Sequence, residues 1–173
     1  EVSPDIKWEL IVVDNNSSDY TKNIIESYVD KLPIKYIYEQ KQGISNAKNA
    51  GLKVVSGELI ICTDDDITPC PRWLDIYWLE YTGVGNKFYF GGPIVSDFEE
   101  TPMDMFLISL GPPSVKGLNW GTEKKTLKKN EFFVGANWAA PATALKAAGG
   151  YNSNLGLNPA SGKVLVGEEN ELM

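Results

Sequence analysis

The run GELIICTDDDITPCPRWL, from Gly57 to Leu74, decides how the chain is read. Its first part, ELIICTD, is short, apolar and rich in β-branched residues, and Gly57 and the Pro69/Pro71 turn bound it; that pattern predicts a buried strand. The strand ends in Asp64, Asp65 and Asp66, three adjacent like charges with no basic residue between Gly57 and Asp66. Two readings fit them. Asp residues favour helix starts, so the triplet could be a cap with solvated charge. Alternatively, a divalent cation between the carboxylates would remove their repulsion and could also hold a diphosphate. On an extended segment, alternation turns Asp64 and Asp66 to one side and Asp65 to the other.

Upstream, WELIVVD (Trp8 to Asp14) predicts another buried strand, and NNSSDYT a turn able to cap a helix. TKNIIESYVDKL spaces Ile24, Ile25, Tyr28, Val29 and Leu32 as one helical face. PIKYIYEQ, begun at Pro33, predicts a strand, and GISNAKNAGLKVVSG a helix with Gly57 just past its end. Strand, helix, strand, helix, strand at this spacing predicts an α/β fold: a doubly wound, mostly parallel sheet with helices on both faces. Downstream, PRWLDIYWLEYT predicts a helix and KFYFGGPIV a strand, whose Gly91-Gly92-Pro93 would suit close backbone approach or a simple turn. The pattern weakens from Ser96 to Asn130, where Gly and Pro accumulate. EFFVGANWAAPATALKAAGGYN predicts a strand and a small-residue helix ended by Gly149 and Gly150. Ligands of open parallel sheets collect at the carboxyl ends of the strands, where Asp14 and the acidic triplet both fall.

The bulk properties narrow the chemistry. At 173 residues and 43% apolar, the chain suits one domain with a real core. A net charge of -7 argues against nucleic acid as a partner. The absence of histidine removes Ser-His-Asp triads and most zinc sites, leaving oxygen ligands and a hard cation. Cys62 and Cys70 are too few for a disulfide framework, so a cytoplasmic setting is expected. No run reaches the roughly 18 apolar residues of a membrane helix, which leaves peripheral attachment of a longer protein at the inner membrane face open. The polar start and the abrupt GEENELM end read as a chain cut at both ends.

In this order, ELIVVDNNSSDYT, EQKQGISNAKNAGL, GELIICTDDDITPCPRWL, FVGANWAAPATALKAAGGYN and GEENEL resemble the family-2 glycosyltransferases of GT-A fold. The match runs over almost the whole chain, less an expected first strand. It implies an inverting, divalent-metal-dependent transferase acting on a UDP-, dTDP- or GDP-sugar, with a glycan or lipid-linked acceptor, in bacterial polysaccharide or glycoconjugate assembly. Residues 1–95 would form the nucleotide-sugar-binding half and 96–173 the acceptor side. Asp14, Asn15 and Ser17 would meet the nucleotide, Asp64 would lie near the ribose and metal, and Asp65 would also meet the nucleotide sugar; Lys48, where relatives often carry Arg, would meet the sugar donor or else be a solvated helix lysine. Asp66, with Asp64, would hold Mn²⁺ or Mg²⁺.

The resemblance places the catalytic base in an acidic pair. Register favours Glu169, with Glu168 second, where relatives usually have Glu-Asp. The other reading of that pair is an exposed acidic helix start. Asn137 and Trp138 would line the acceptor side, the indole offering a flat face to a sugar; a core Trp is the alternative. With the first strand missing, low turnover by these residues alone is expected. A non-catalytic nucleotide-sugar-binding domain and a nucleotidyltransferase are the competing readings. The second would be favoured by a glycine-rich phosphate loop, and neither G-x-G-x-x-G nor GK[ST] occurs in the chain.

Overall fold

The structure is a computed structural model and describes residues 2–129, 131–159, 162–165 and 168–169. Gly167, Asn170, Glu171 and Leu172 of the acidic segment lie outside the described residues; Glu168 and Glu169 lie within them.

Strand β1 (Leu10–Asp14) pairs in parallel with β2 (Ile34–Tyr38), Leu10 opposite Ile34 and Asp14 opposite Tyr38. Helix α1 (Thr21–Glu26) connects them, and α2 (Ile44–Val54) leads from β2 to β3 (Leu59–Cys62). This is the βαβαβ order expected from the sequence. Helix α1 stops half-way along its predicted span. None of its residues is buried, and Ser27 turns its hydroxyl back to the Ile24 carbonyl at 2.7 Å. A short helix with no buried face has little to extend it.

Beyond β3 comes α3 (Trp73–Val84), then β4 (Phe90–Gly91), the short helices α4 (Met105–Leu110) and α5 (Pro113–Lys116), β5 (Trp138–Pro141) and α6 (Ala142–Ala147). Strand β5 lies between β3 and β4 and is antiparallel to both, with Trp138 opposite Cys62 and Gly91. The predicted strand Lys87–Val95 shrinks to two residues plus an isolated bridge between Ile94 and Leu118. Gly91 and Gly92 have a packing role: a Cβ at Gly91 would overlap the Phe133 ring, and one at Gly92 would sit 2.6 Å from Asn137 Nδ2. A hairpin of β6 (Gly156–Asn158) and β7 (Lys163–Leu165) has no counterpart in the sequence reading.

The core sits under β5. Trp138, Ala140 and Leu145 are fully buried and Tyr151 nearly so, with Leu52, Ile60, Cys62, Tyr89 and Phe133 packed around them. Because β5 borders β3, this core fixes the strand end that carries the acidic triplet. Among the described residues no helix is long and apolar enough to cross a membrane.

Candidate active site

Asp14 closes β1 and is buried, 5% exposed. Its Oδ1 accepts the Ser17 amide at 2.9 Å and its Oδ2 the Tyr36 hydroxyl at 2.8 Å. Burial alone would raise its pKa. The amide and hydroxyl of Ser17 and the Tyr36 hydroxyl together outweigh burial and hold it below the usual carboxylate range. Burial and the same bond push Tyr36 up to about 12. A depressed carboxyl pKa stabilises the fold above the unfolded value, about 3.9, and that stability is lost as pH falls through the folded value. Asp14→Asn is therefore expected to melt below the unaltered chain at pH 7, with the gap closing at pH 3; thermal unfolding at both pH values checks this.

Asn15 is spent on the protein itself. Its Nδ2 donates to the carbonyls of Glu39 (3.0 Å) and Lys41 (2.8 Å), and its Oδ1 accepts the Gly43 amide at 2.7 Å. It braces the end of β1 against the turn that starts α2. Gly43 precedes that helix at φ +123°, a conformation favouring glycine.

Helix α2 presents Ser45, Lys48, Asn49 and Leu52 on one face, the i, i+3, i+4, i+7 spacing. That face ties the chain's second half to its first. Ser45, 2% exposed, donates to the Leu155 carbonyl at 2.7 Å, and Asn49 exchanges two hydrogen bonds with the Tyr151 backbone. Between them Lys48 reaches two carboxylates: its ammonium lies 3.3 Å from Glu168 Oε1 and in direct contact with Glu169 Oε1. It also stands 5.3 Å from the Tyr151 ring centroid. The Tyr151 hydroxyl lies 3.6 Å from Cys62 Sγ, at the end of β3.

Glu168 and Glu169 are both sheltered, their side chains 8% and 14% exposed. This differs from the exposed acidic helix start weighed as the alternative. Two adjacent sheltered carboxylates repel, and Lys48 offsets that repulsion. Glycines make room for both. A Cβ at Gly135 would sit 2.8 Å from Glu169 Oε1; one at Gly156 (φ +88°) would overlap Ile44 and come within 3.3 Å of Glu168 Cδ. Gly156→Ala is expected to lower stability by about 1–3 kcal/mol, the range for overpacking, measured by urea denaturation.

The acidic triplet follows β3 on the exposed side, with Asp65 and Asp66 in a turn. The alternation of an extended segment therefore does not set where these two side chains point. Asp64 has its pKa raised, first by desolvation and then by Asp66, Asp65 and Glu168; Lys48 opposes the shift. Asp64 thus feels the charges of its two neighbours, of Lys48 and of Glu168. Among the described residues no three His, Cys, Asp or Glu side chains converge to cage a metal ion by themselves. The donor set of adjacent carboxylates nevertheless fits a hard cation that keeps substrate oxygens and water in its shell.

The acceptor-side expectation needs correction. Trp138 is 0% exposed, with Tyr89 edge-on at 6.2 Å between ring centroids, so no sugar reaches its face. Asn137 is a brace: its Oδ1 accepts Trp73 Nε1 (2.9 Å) and the Tyr77 hydroxyl (2.8 Å), and its Nδ2 donates to the Pro93 carbonyl (2.9 Å). Both cysteines are free thiols. Tyr151 was missed in the sequence, where it reads as one more aromatic residue after a Gly-Gly stop.

Comparisons with known proteins show the family and the fold. The model of the family described as Glycosyl transferase family 2 matches residues 3–138, a range that ends before the acidic pair. Hyaluronan synthase of Pasteurella multocida is 35% identical over 139 residues, covering 76% of this chain and 14% of that protein. Validoxylamine A glucosyltransferase of Streptomyces hygroscopicus subsp. jinggangensis is 28% identical over 78 residues, 44% of this chain and 18% of that protein. The chain thus spans well under a third of these relatives. Among solved structures, the mannosyltransferase PcManGT from Pyrobaculum calidifontis, in complex with GDP-Man and Mn²⁺, superposes with a TM-score of 0.55 at 21% identity. That superposition covers 87% of this chain and 40% of the other, and at this identity it speaks for the fold, α/β of GT-A type. With its family model matched over residues 3–138, the chain belongs to the family 2 glycosyltransferases.

Proposed function

We propose that the chain is the catalytic part of a transferase that moves a sugar from a nucleoside diphosphate to an acceptor hydroxyl with inversion. The observation that supports this most is the Lys48 hub, which pairs with both carboxylates of the sheltered pair Glu168 and Glu169. Glu169 is the general base. Its carboxylate takes the acceptor hydroxyl proton as that oxygen attacks the anomeric carbon; the new C–O bond forms while the bond to the diphosphate breaks on the opposite face. Glu168, deeper and also on Lys48, positions Glu169 rather than taking the proton. Lys48 carries positive charge to where the diphosphate would lie.

Asp66 and Asp64 would hold Mn²⁺ or Mg²⁺, which when bound offsets charge on the departing diphosphate. Asp65 and the backbone around Ser17 complete the nucleotide side, and Asp14 shapes that turn from beneath. Residues 1–95 supply this side and 96–173 the acid pair and the acceptor side. The GDP-Man and Mn²⁺ of the similar mannosyltransferase and the glycan-synthase names of the relatives support a nucleotide-sugar donor and a role in glycan assembly. The donor base is uracil, thymine or guanine. The acceptor is a glycan or a lipid-linked sugar, met in the cytoplasm or at the inner membrane face.

The test is substitution in the turn. Asp66→Asn is expected to weaken Mn²⁺-dependent nucleotide binding by about tenfold or more, a loss of one charge-assisted contact. Metal-dependent binding unchanged in Asp66→Asn and Asp64→Asn alike would overturn the assignment.

A further inference from the structure

A second concentration of charge lies away from Lys48. Lys124, Lys125, Lys128 and Lys129 fall within six residues of a chain whose net charge is -7. With Lys87 they line a groove of about 1220 Å³ between the end of α3 and residues 124–133. Its walls also carry aromatic faces: Phe88 is 49% and Phe132 38% exposed. The Phe132 ring is held in place. Trp120 stands edge-on to Phe132 at 6.4 Å between centroids and donates Nε1 to the Phe132 carbonyl at 3.0 Å. Lys125 lies 5.4 Å from the Trp120 ring centroid.

Two of the cations are already paired, Lys124 with Glu80 and Lys125 with Glu131. Lys87, Lys128 and Lys129 make no ion pair among the described residues. Three uncommitted ammonium groups around exposed aromatic faces call for a ligand that is anionic, flat-sided and apolar in patches. The concave shape suits a chain rather than a bilayer surface. A nucleic-acid strand carries a charge at every phosphate, and the acidic remainder of the protein would repel so dense a polyanion. A carboxylated sugar chain carries sparser charge, and its rings present the apolar faces that stack on aromatic side chains.

We propose that this groove binds an acidic glycan, with Lys87, Lys128 and Lys129 at the carboxylates and Phe88 and Phe132 against the sugar rings. The groove lies in the half read as the acceptor side, but none of the residues named for the donor, the metal or the base lines it, so loss of groove binding would leave those assignments standing.

The experiment is calorimetric titration of the full chain with a hexasaccharide of alternating hexuronic acid and N-acetylhexosamine. The comparison ligands are its carboxyl-reduced form, a six-nucleotide single strand and phosphatidylglycerol vesicles. The acidic hexasaccharide is expected to bind saturably and more weakly as salt is added, with the reduced form about tenfold weaker or worse. Lys128→Glu with Lys129→Glu, and separately Phe88→Ala, should each weaken binding at least severalfold without lowering the melting temperature, because all three side chains are exposed. The proposal is overturned by absence of saturable binding, by equal binding of the reduced form, by tighter binding of the oligonucleotide or vesicles, or by indifference to both variants.

Discussion

Glu169→Gln is expected to lower sugar transfer by about 10²–10⁴-fold, the range over which a positioned general base contributes. The substitution keeps the side chain's length and its oxygen toward Lys48 but removes the lone pair that takes the acceptor proton. Lys48 keeps Glu168 at 3.3 Å, so its charge stays paired in the variant. Nucleotide binding should therefore change little, and the loss should fall on kcat rather than on KM for the sugar donor. Steady-state transfer or donor hydrolysis, read beside a nucleotide titration of the same preparation, separates the two. Unchanged turnover would move the base elsewhere, with Glu168 the next candidate, since it shares Lys48 and is also sheltered.

Trp138→Ala should be the most damaging change to the fold, at about 3–5 kcal/mol, the usual cost of emptying a large aromatic site in a core. The side chain is fully buried at the centre of the cluster formed with Ala140, Leu145 and Tyr151. Its neighbours come from β3, from the stretch before β4 and from the segment after α6, so no single element can collapse into the space. Against a total stability of about 5–15 kcal/mol, such a loss should leave the protein marginal. Denaturant unfolding measures it; a loss below about 1 kcal/mol would mean that the core is not built on this residue. Had Trp138 faced a sugar acceptor, the same substitution would have cost activity and spared stability.

The parts of the fold legible in the sequence were those with a strong local period. β1, β2, α2 and β3 all fall within their predicted spans, and α3 runs two residues past its own, to Val84, because buried strands and amphipathic helices write their burial into spacing. The pairing of β5 between β3 and β4 was not legible, since strand direction there depends on contacts distant in sequence, more than 70 residues apart for β3 and more than 40 for β4. Helix α1 was overpredicted because its apolar stripe, Ile24, Tyr28, Val29 and Leu32, remains exposed where a helix would need a partner. The hairpin of β6 and β7 has no alternation that marks it.

For the site, the carboxylates at the ends of β1 and β3 followed from strand prediction alone. Glu168 and Glu169 were reached only through the family resemblance, because an acidic pair near a chain's end has no local signature. That Lys48 holds both could not be seen: the contacts span 120 and 121 residues. Trp138, fully buried, shows the opposite error, and Asn15 and Asn137 are held by bonds to the protein itself. Polar and aromatic side chains beside a site look the same in sequence whether they face a ligand or brace the backbone that carries it. Here Asn137 and Trp138 brace, and Asn15 spends its amide on the turn before α2.

We propose that the acidic turn after β3 and the nucleotide side at the end of β1 bind a nucleoside diphosphate with a divalent cation. Calorimetric titration of the chain with UDP, TDP and GDP, each with and without Mn²⁺, tests it most directly. The expected result is saturable binding of one nucleotide that requires Mn²⁺ and weakens in Asp66→Asn. Failure of all three to bind with Mn²⁺ present, or binding indifferent to the metal, would contradict it.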